Sequence, residues 1–253
     1  MRFVTFNLRC DRQQDGENSF VHRQPLILRA IEREKPDVIC FQEAEPHMAA
    51  WLKKNLNDYY LIGCGRGKAL DSEQMTVAFL KEKYQLLEMR TFWLSPTPAV
   101  PGSRYPGQSS CPRTCTDALL MEEESGKPFR VVNTHLDHVG AEARERGLRQ
   151  ILGSAGKESF CPQAPMILAG DFNAVPDSEE LRAVFSDPAL KVVTRSVGAT
   201  YHGYGKADPP EQIDHIVLRG ELKCTGVSKW TDEENGVYLS DHYPVCAEIT
   251  WAE

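Results

Sequence analysis

The sequence lacks any apolar run long enough to cross a bilayer as a helix, which takes about 20 residues. It also lacks an excess of positive charge, since 29 Lys and Arg stand against 36 Asp and Glu and the net charge is −7. Proteins that hold long nucleic acid by neutralising its backbone need a basic face. Neither a membrane span nor a long nucleic-acid ligand is therefore expected, and no internal repeat or low-complexity tract interrupts the 253 residues.

The eight cysteines do not predict a zinc site or a disulfide framework. Only Cys111 and Cys115 are close in sequence, and no second pair at zinc-site spacing follows them. Cys40 and Cys246 lie in apolar, strand-like runs, where a free thiol packs like a small hydrophobic side chain. Unpaired thiols are expected, as in cytoplasmic proteins. Because residues 1–7 enter a strand-like run without a leader-like segment, a cytoplasmic location is predicted.

Strand-like and helical patterns alternate along the chain and favour an α/β or α+β fold with two sheets face to face and helices outside. A proline-rich stretch at 95–112 predicts a long surface loop near the site. Strands are predicted at 2–8, 37–42, 59–64, 74–80, 85–94, 114–122, 128–134, 165–170, 213–219, 223–230 and 244–251. Helices are predicted around the apolar stripe at 26–31, at 46–57, at 140–153 and at 178–185.

Polar side chains follow several of these apolar runs, at the points where strands leave the core. Carboxylate and amide oxygens there suit Mg²⁺ or Mn²⁺, and imidazoles can donate to a phosphate or exchange a proton. This inventory favours metal-assisted phosphoester hydrolysis. The residues in question are Asn7, Glu43, His135, Asp171, Asn173, Asp241 and His242.

Four of these positions also have a structural interpretation. Glu43 ends an apolar run and suits a cation, but Pro46 follows, so it could be an acidic residue at a helix N-terminus. Asn7 alone is typical of a turn at a strand end. Asp171 and Asn173 share one face of an extended segment, and they also suit an Asx turn after Gly170.

The seven residues lie in five short motifs, which are Phe6–Leu8, Phe41–Glu43, Asn133–His138, Gly170–Ala174 and Ser240–Pro244. In this order the motifs resemble the endonuclease/exonuclease/phosphatase superfamily, which includes deoxyribonuclease I, exonuclease III, neutral sphingomyelinases, inositol polyphosphate 5-phosphatases and deadenylases. The resemblance implies a four-layer α/β/β/α sandwich and one catalytic domain over residues 1–253.

The same resemblance implies roles for individual residues. Glu43 is expected to be the main metal ligand, with Asn7 as a ligand or an orienter of metal-bound water and Asp241 on the metal side. His242 is expected to face the phosphate with Asp214 as its orienter. His215 alternates to the opposite face from Asp214 and is expected to be a packed or surface histidine. The remaining assignments place His135 and Asn173 on the phosphoryl oxygens and leave Asp171 and the His242–Asp214 pair competing to activate water.

Arg9 is a departure, because several nuclease relatives carry an aspartate there, so the resemblance does not extend to a second metal site. Arg9 is expected to bind substrate or to pair with Glu43. Further candidates for contacts with the substrate are Arg23, Arg66, Arg104, Arg113 and His202.

Taken together, the sequence predicts a monomeric, Mg²⁺- or Mn²⁺-dependent phosphoester hydrolase of phosphodiesterase type. The expected substrate is a phosphorylated small molecule or a short single-stranded nucleic acid, with the acidic balance favouring the small molecule. A 3′–5′ exoribonuclease of deadenylase type is the alternative. A catalytically silent binding module is disfavoured because no core position of the set is missing.

Overall fold

Two six-stranded mixed sheets form the centre of the computed structural model, which describes residues 1–252. The first sheet has the spatial order β11 (Leu222–Lys229), β14 (Val245–Trp251), β1 (Arg2–Asn7), β2 (Val38–Ala44), β4 (Gln74–Leu80) and β3 (Tyr59–Ile62). The second has the order β5 (Tyr84–Trp93), β6 (Thr114–Glu122), β7 (Pro128–His135), β8 (Met166–Asp171), β10 (Asp214–Arg219) and β9 (Leu190–Val192). Neighbours are antiparallel except the parallel pairs β1–β2 and β7–β8.

Helices and short turns connect these strands. The helices are α1 (Phe20–Glu34), α2 (Pro46–Asn55), α3 (Ala141–Ser154) and α4 (Arg182–Phe185), with 3₁₀ turns at Gln13–Asn18 and Glu179–Leu181. A small hairpin pairs β12 (Glu233–Glu234) with β13 (Val237–Tyr238). Within residues 1–252, no helix combines the length and the apolar character that a membrane crossing requires.

Three apolar clusters hold the layers together. Between the sheets, side chains such as Val38 from the first and Val131 from the second pack into one core. Ile27 of α1 and Met48 of α2 cover the outer face of the first sheet, and Leu148 of α3 covers the outer face of the second. The layering is therefore helix, sheet, sheet, helix, and the four-layer sandwich expected from the resemblance is confirmed.

One polar side chain crosses this apolar interior. Asn133 of β7 donates from Nδ2 to the carbonyl oxygens of Phe41 (2.8 Å) and Thr76 (2.9 Å), and its Oδ1 accepts from Gln42 Nε2 (2.8 Å). Asn133 and Gln42 are fully buried. The β2–β4 ladder shifts register between Phe41 and Ala44, so Asn133 satisfies backbone carbonyls beside an irregularity. This amide bridge fixes how the two sheets lie against each other.

The predicted elements differ from the structure mainly at short segments. The helix predicted at 178–185 is a 3₁₀ turn followed by the four-residue α4. Sequence analysis missed β9 and the β12–β13 hairpin, because two or three residues are too short to show a periodic apolar pattern. All eight cysteines are free, as expected.

We expect Asn133→Ala to lower the free energy of unfolding by about 3 kcal/mol or more, since buried partners lose their hydrogen bonds. Denaturant unfolding followed by circular dichroism measures this. Asn57→Ala, at an exposed turn, is the control and should change stability by less than about 0.5 kcal/mol. Equal effects from the two substitutions would contradict a bridging role for Asn133.

Candidate active site

Strand register brings three predicted site residues side by side at one edge of the second sheet. Asp171, the last residue of β8, is the partner of His135 on β7 and of Asp214 on β10. Register partners project to the same face of a sheet, so the three side chains point the same way. Asn7 and Glu43 arrive from the first sheet, at the carboxyl ends of β1 and β2. A cavity of about 480 Å³ lies where these strand ends meet.

Gly170 allows β7 and β8 to approach closely just before Asp171. Its φ is 146°, and a Cβ at this position would lie 1.8 Å from the carbonyl oxygen of Thr134. Any side chain would therefore push β8 away from β7. The close approach of β7 and β8 next to the site therefore requires the glycine of the Gly170–Ala174 motif.

Asn7 links carboxylates from the two sheets. Its Nδ2 donates to Asp171 Oδ2 (2.9 Å) and to Glu43 Oε1 (3.1 Å), while its Oδ1 accepts from the backbone N–H of Arg9 (2.9 Å). The amide therefore presents its N–H groups, rather than its oxygen, to the two acids. This geometry suits the orienting role among the alternatives that the sequence left open.

Glu43 is held as a carboxylate at the edge of the cavity. Its backbone has a φ of 60°, and Oε2 accepts from the backbone N–H of Cys10 (2.7 Å). Burial raises the pKa of Glu43, but the hydrogen bonds from Cys10 and Asn7 and the nearby His242 outweigh it, so the pKa lies below its usual value. Although α2 does begin at Pro46, the side chain faces the cavity rather than the helix N-terminus.

His242 and Asp214 form a buried pair. His242 Nδ1 lies 2.8 Å from Asp214 Oδ2, and Nε2 lies 3.8 Å from Asp171 Oδ2 on the other side of the ring. Burial opposes the charged imidazole, but Asp214 and then Asp171 outweigh it and raise the pKa of His242 to about 10. In this setting His242 is a cation whose ring orientation is fixed by Asp214.

Asp171 and Asn173 form an Asx-type turn and also face the cavity, so both geometries that the sequence suggested are present. Asp171 Oδ1 accepts from the backbone N–H of Asn173 (2.8 Å), which forms the Asx-type turn, and both residues still line the cavity. Asn173 Nδ2 also donates to the carbonyl of Leu136 (3.0 Å). Burial and the nearby Asp214 raise the pKa of Asp171 to about 7, against the opposing effect of His242.

His135, Asp241 and Arg9 complete the predicted set around the cavity. His135 Nε2 lies 3.4 Å from Asp171 Oδ2, and burial with the charge of Arg113 holds the pKa of His135 well below its usual value. Arg9 Nε pairs with Asp15 (3.0 Å) and lies 3.7 Å from Asp241, so the expected pairing with Glu43 is wrong. Asp241 itself faces the cavity.

This constellation of carboxylates, amides and a carboxylate-bound histidine at paired strand ends is matched by a known family. The model of the Endonuclease/Exonuclease/phosphatase family matches residues 4–242. The chain belongs to this family. Its members are metal-dependent phosphoesterases or nucleases.

Related proteins cover nearly the whole chain. A family member from Bacteroides vulgatus superposes with a TM-score of 0.92 at 28% identity, over 99% of this chain and 98% of that one. A protein of Acanthamoeba polyphaga mimivirus, described as uncharacterized, is 27% identical over 88% of this chain and 90% of its own. A mannosyl-6-phosphatase from Bacteroides thetaiotaomicron has a TM-score of 0.87 over 99% of this chain and 100% of that one, and its 24% identity shows the fold alone.

The structure corrects the expectation that Arg23 contacts substrate. Its guanidinium is fully buried and donates to four backbone carbonyls rather than facing the cavity. The acceptors are Asn18 (2.7 Å), Leu8 (2.7 Å), Leu239 (2.8 Å) and Arg9 (3.1 Å). Arg23 therefore ties the segment after β1 to the segment before Asp241, and its role in this family member is structural.

His202 is also not at the cavity wall, so the second expected substrate contact is corrected. Its ring stacks on Tyr243 with centroids 3.9 Å apart, and Nδ1 accepts from the backbone N–H of Gly205 (3.1 Å).

His215 is buried, as expected, with Nε2 2.9 Å from the carbonyl of Ala174. Arg113, by contrast, lines the cavity as predicted.

Sequence analysis missed Glu73. Its carboxylate faces the cavity, and ligand atoms of Glu43, Glu73 and His135 lie within 4.8 Å of one another. Glu73 Oε1 also accepts from Arg66 Nη2 (2.6 Å). The available signal was the antiparallel pairing of β2 with β4, which places Gln74 beside Ala44. Because that register includes a bulge, the apolar pattern of the sequence alone could not predict the position of Glu73.

The carboxylate of Asp137 holds the inner end of the loop at 95–112 by hydrogen bonds. Its carboxylate accepts from the backbone N–H groups of Ser109 (3.1 Å), Val139 (3.1 Å) and Gly140 (2.8 Å), and also from the Ser109 hydroxyl. These hydrogen bonds, first that of the Ser109 hydroxyl, outweigh burial and lower the pKa of Asp137 to about 2. One carboxylate thus joins the loop, the end of β7 and the start of α3.

We expect Asp214→Asn to lower the pKa of His242 by about 2 or more in the metal-free protein, since the carboxylate charge that favours the imidazolium is lost. An NMR titration of the histidine ring protons measures this, with the resonance assigned by its loss in His242→Gln. Asp177→Asn, at an exposed position, is the control and should leave the pKa unchanged. An unaltered His242 pKa in Asp214→Asn would show that the pair is not electrostatically coupled.

Proposed function

We propose that the protein is a divalent-metal-dependent phosphoester hydrolase of phosphodiesterase type, acting on a phosphorylated small molecule or a short single-stranded end. The observation that carries the proposal is the meeting of Asn7 and Glu43, from one sheet, with Asp171 and the Asp214–His242 pair, from the other, at a single cavity. The proposed unit is one catalytic domain, monomeric and cytoplasmic.

The cavity residues fit a hard divalent cation. Glu43 and Asp241 offer carboxylate oxygens at the cavity, and ligand atoms of Glu73 and His135 lie within 4.8 Å of a carboxylate oxygen of Glu43. Carboxylates buried together favour a cation between them. Glu43 and Asp241 would hold Mg²⁺ or Mn²⁺, with Asn7 orienting Glu43. When bound, the cation supplies charge neutralisation at the phosphate and at the leaving oxygen.

The proton transfers are assigned from the surroundings of His242 and Asp171. His242 lies between two carboxylates, which favour its cationic form, and a cation cannot accept a proton from water. We therefore assign Asp171 as the base that takes the proton of the attacking water, while His242 donates from Nε2 to a phosphoryl oxygen. His135 and Asn173 are proposed as further contacts to the phosphoryl group.

The size and charge of the protein favour a small substrate. A cavity of about 480 Å³ suits a ligand of metabolite size. The net charge of −7 disfavours a long nucleic-acid track. Arg9 and Arg113, which line the cavity, are the proposed substrate-binding arginines.

We expect hydrolysis only with added Mg²⁺ or Mn²⁺, and Glu43→Gln should raise the half-saturating metal concentration about 10-fold or more. The test is a panel of bis-p-nitrophenyl phosphate, p-nitrophenyl phosphate, mannose 6-phosphate, oligo(A) and inositol phosphates, after exhaustive dialysis against EDTA. Glu142→Gln, on the exposed face of α3, is the control.

Full turnover without added metal would refute the metal requirement. An unchanged metal titration in Glu43→Gln would remove Glu43 from the ligand set. Activity confined to oligo(A) would move the assignment to the deadenylase type.

We further expect His242 and Asp214 to act as one unit in catalysis. His242→Ala should lower kcat by about 10³-fold, since it removes a phosphate contact and a proton donor, and Asp214→Asn should cost somewhat less. Because Asp214 acts by orienting His242, the double variant should be little slower than His242→Ala. Single-turnover rates that multiply across the two substitutions would show independent roles.

A further inference from the structure

Two buried arginines lie together on one wall of the cavity. Arg66 precedes β4 and Arg113 precedes β6, and their exposed fractions are only 5% and 3%. Both line the cavity. We refer to them as the arginine pair.

The arginine pair has donors that the rest of the described protein does not use. Among residues 1–252, Arg66 Nη1 and Arg113 Nε and Nη1 find no hydrogen-bond partner. Buried polar groups nearly always have partners, and unsatisfied donors on a cation are especially costly. Three such donors belong to two side chains that line one cavity, which indicates a partner that comes from outside the chain.

One nitrogen of each arginine is anchored, so the guanidiniums are held in place. Arg66 Nη2 donates to Glu73 Oε1 (2.6 Å), and Arg113 Nη2 lies 2.8 Å from His138 Nδ1. Asp137 lies 3.6 Å from Arg113 Nε, beyond hydrogen-bond length. Glu73 and Asp137 offset the two positive charges but leave the three donors unsatisfied. Guanidinium groups fixed in this way match the oxygens of a phosphate.

The arginine pair lies beside Glu73, on which Arg66 is anchored. Glu73 connects the arginine pair to Glu43 and His135, because its carboxylate holds Arg66 and lies within 4.8 Å of their ligand atoms. A ligand of metabolite size in this cavity can therefore reach the arginine pair and the hydrolytic residues together.

We propose that Arg66 and Arg113 form a second anion subsite, which binds a phosphate group of the substrate other than the one that is cleaved. The substrate class is then a small molecule with two phosphate groups, of which one is hydrolysed and the other is held. This proposal rests on the proposed function for the cleavage step. The binding of an anion by the arginine pair does not depend on it.

The test compares two substrates with the same scissile bond and leaving group. They are the p-nitrophenyl ester of thymidine 5′-phosphate and the same ester carrying a 3′-phosphate. With Mg²⁺ or Mn²⁺ present, the native protein should prefer the second by about 10-fold or more in kcat/KM, as expected for charge-assisted hydrogen bonds. Arg66→Gln and Arg113→Gln should each abolish most of this preference. Arg149→Gln, an exposed arginine on α3, is the matched control and should keep it.

A second measurement needs no catalysis. Calorimetric titration of the metal-free protein with inorganic phosphate should give a Kd that rises about 10-fold or more in Arg66→Gln and Arg113→Gln but not in Arg149→Gln. Circular dichroism checks that each variant is folded, and Arg113→Lys replaces Arg113→Gln if the latter is not.

The outcomes separate the subsite from the proposed function. Equal loss on both substrates in the arginine variants would show that the arginine pair holds the cleaved phosphate, and would overturn the proposal. A native protein without preference for the 3′-phosphate would overturn it as well. If the native protein hydrolyses neither ester, the proposed function is at fault and the phosphate titration decides the subsite. Unchanged phosphate affinity in both variants would then refute it.

Discussion

The amide bridge between Gln42 and Asn133 is the constraint on which the rest of the site depends. The proposed active site draws side chains from two sheets that are held together mainly by apolar packing, which is non-directional and tolerates sliding. Hydrogen bonds of 2.8–2.9 Å from Asn133 to the first sheet remove that freedom. Gln42 directly precedes Glu43, and Asn133 lies two residues before His135, so the sheets are fixed immediately behind the reacting groups.

Charge is organised locally rather than across the whole protein. The net charge of −7 describes an acidic molecule, yet one cavity is lined both by carboxylates, such as Glu43 and Asp241, and by arginines, such as Arg66 and Arg113. The carboxylates favour a cation, and the arginines favour an anion. A phosphate ester bridging a divalent cation and a guanidinium would complement both. The presence of both signs of charge at the cavity, more than the net charge of the protein, indicates which ligands the cavity can bind.

The sequence predicted the fold, and most of the residues that it proposed for the site lie together, because polar residues at the ends of apolar runs mark where strands leave a core. The register of β8 with β7 and β10 then places Asp171 beside His135 and Asp214, as the motifs implied. Two kinds of residue could not be assigned correctly. Arg23 has the composition of a phosphate ligand, and only its burial against backbone carbonyls shows otherwise. Glu73 has no motif, and its position depends on a bulged strand pairing.

Asp137 attaches the inner end of the loop at 95–112 close to the cavity wall. Residues from Ser109 to Arg113 are held by that carboxylate and by the start of β6, whereas the outer part of the loop is anchored on α3, where the Tyr105 hydroxyl donates to Gln150. Insertions or replacements in the outer part would leave the wall in place. The two ends of the loop therefore have separate anchors, and the residues of its outer part can be replaced without removing the Asp137 contacts that hold the segment before β6.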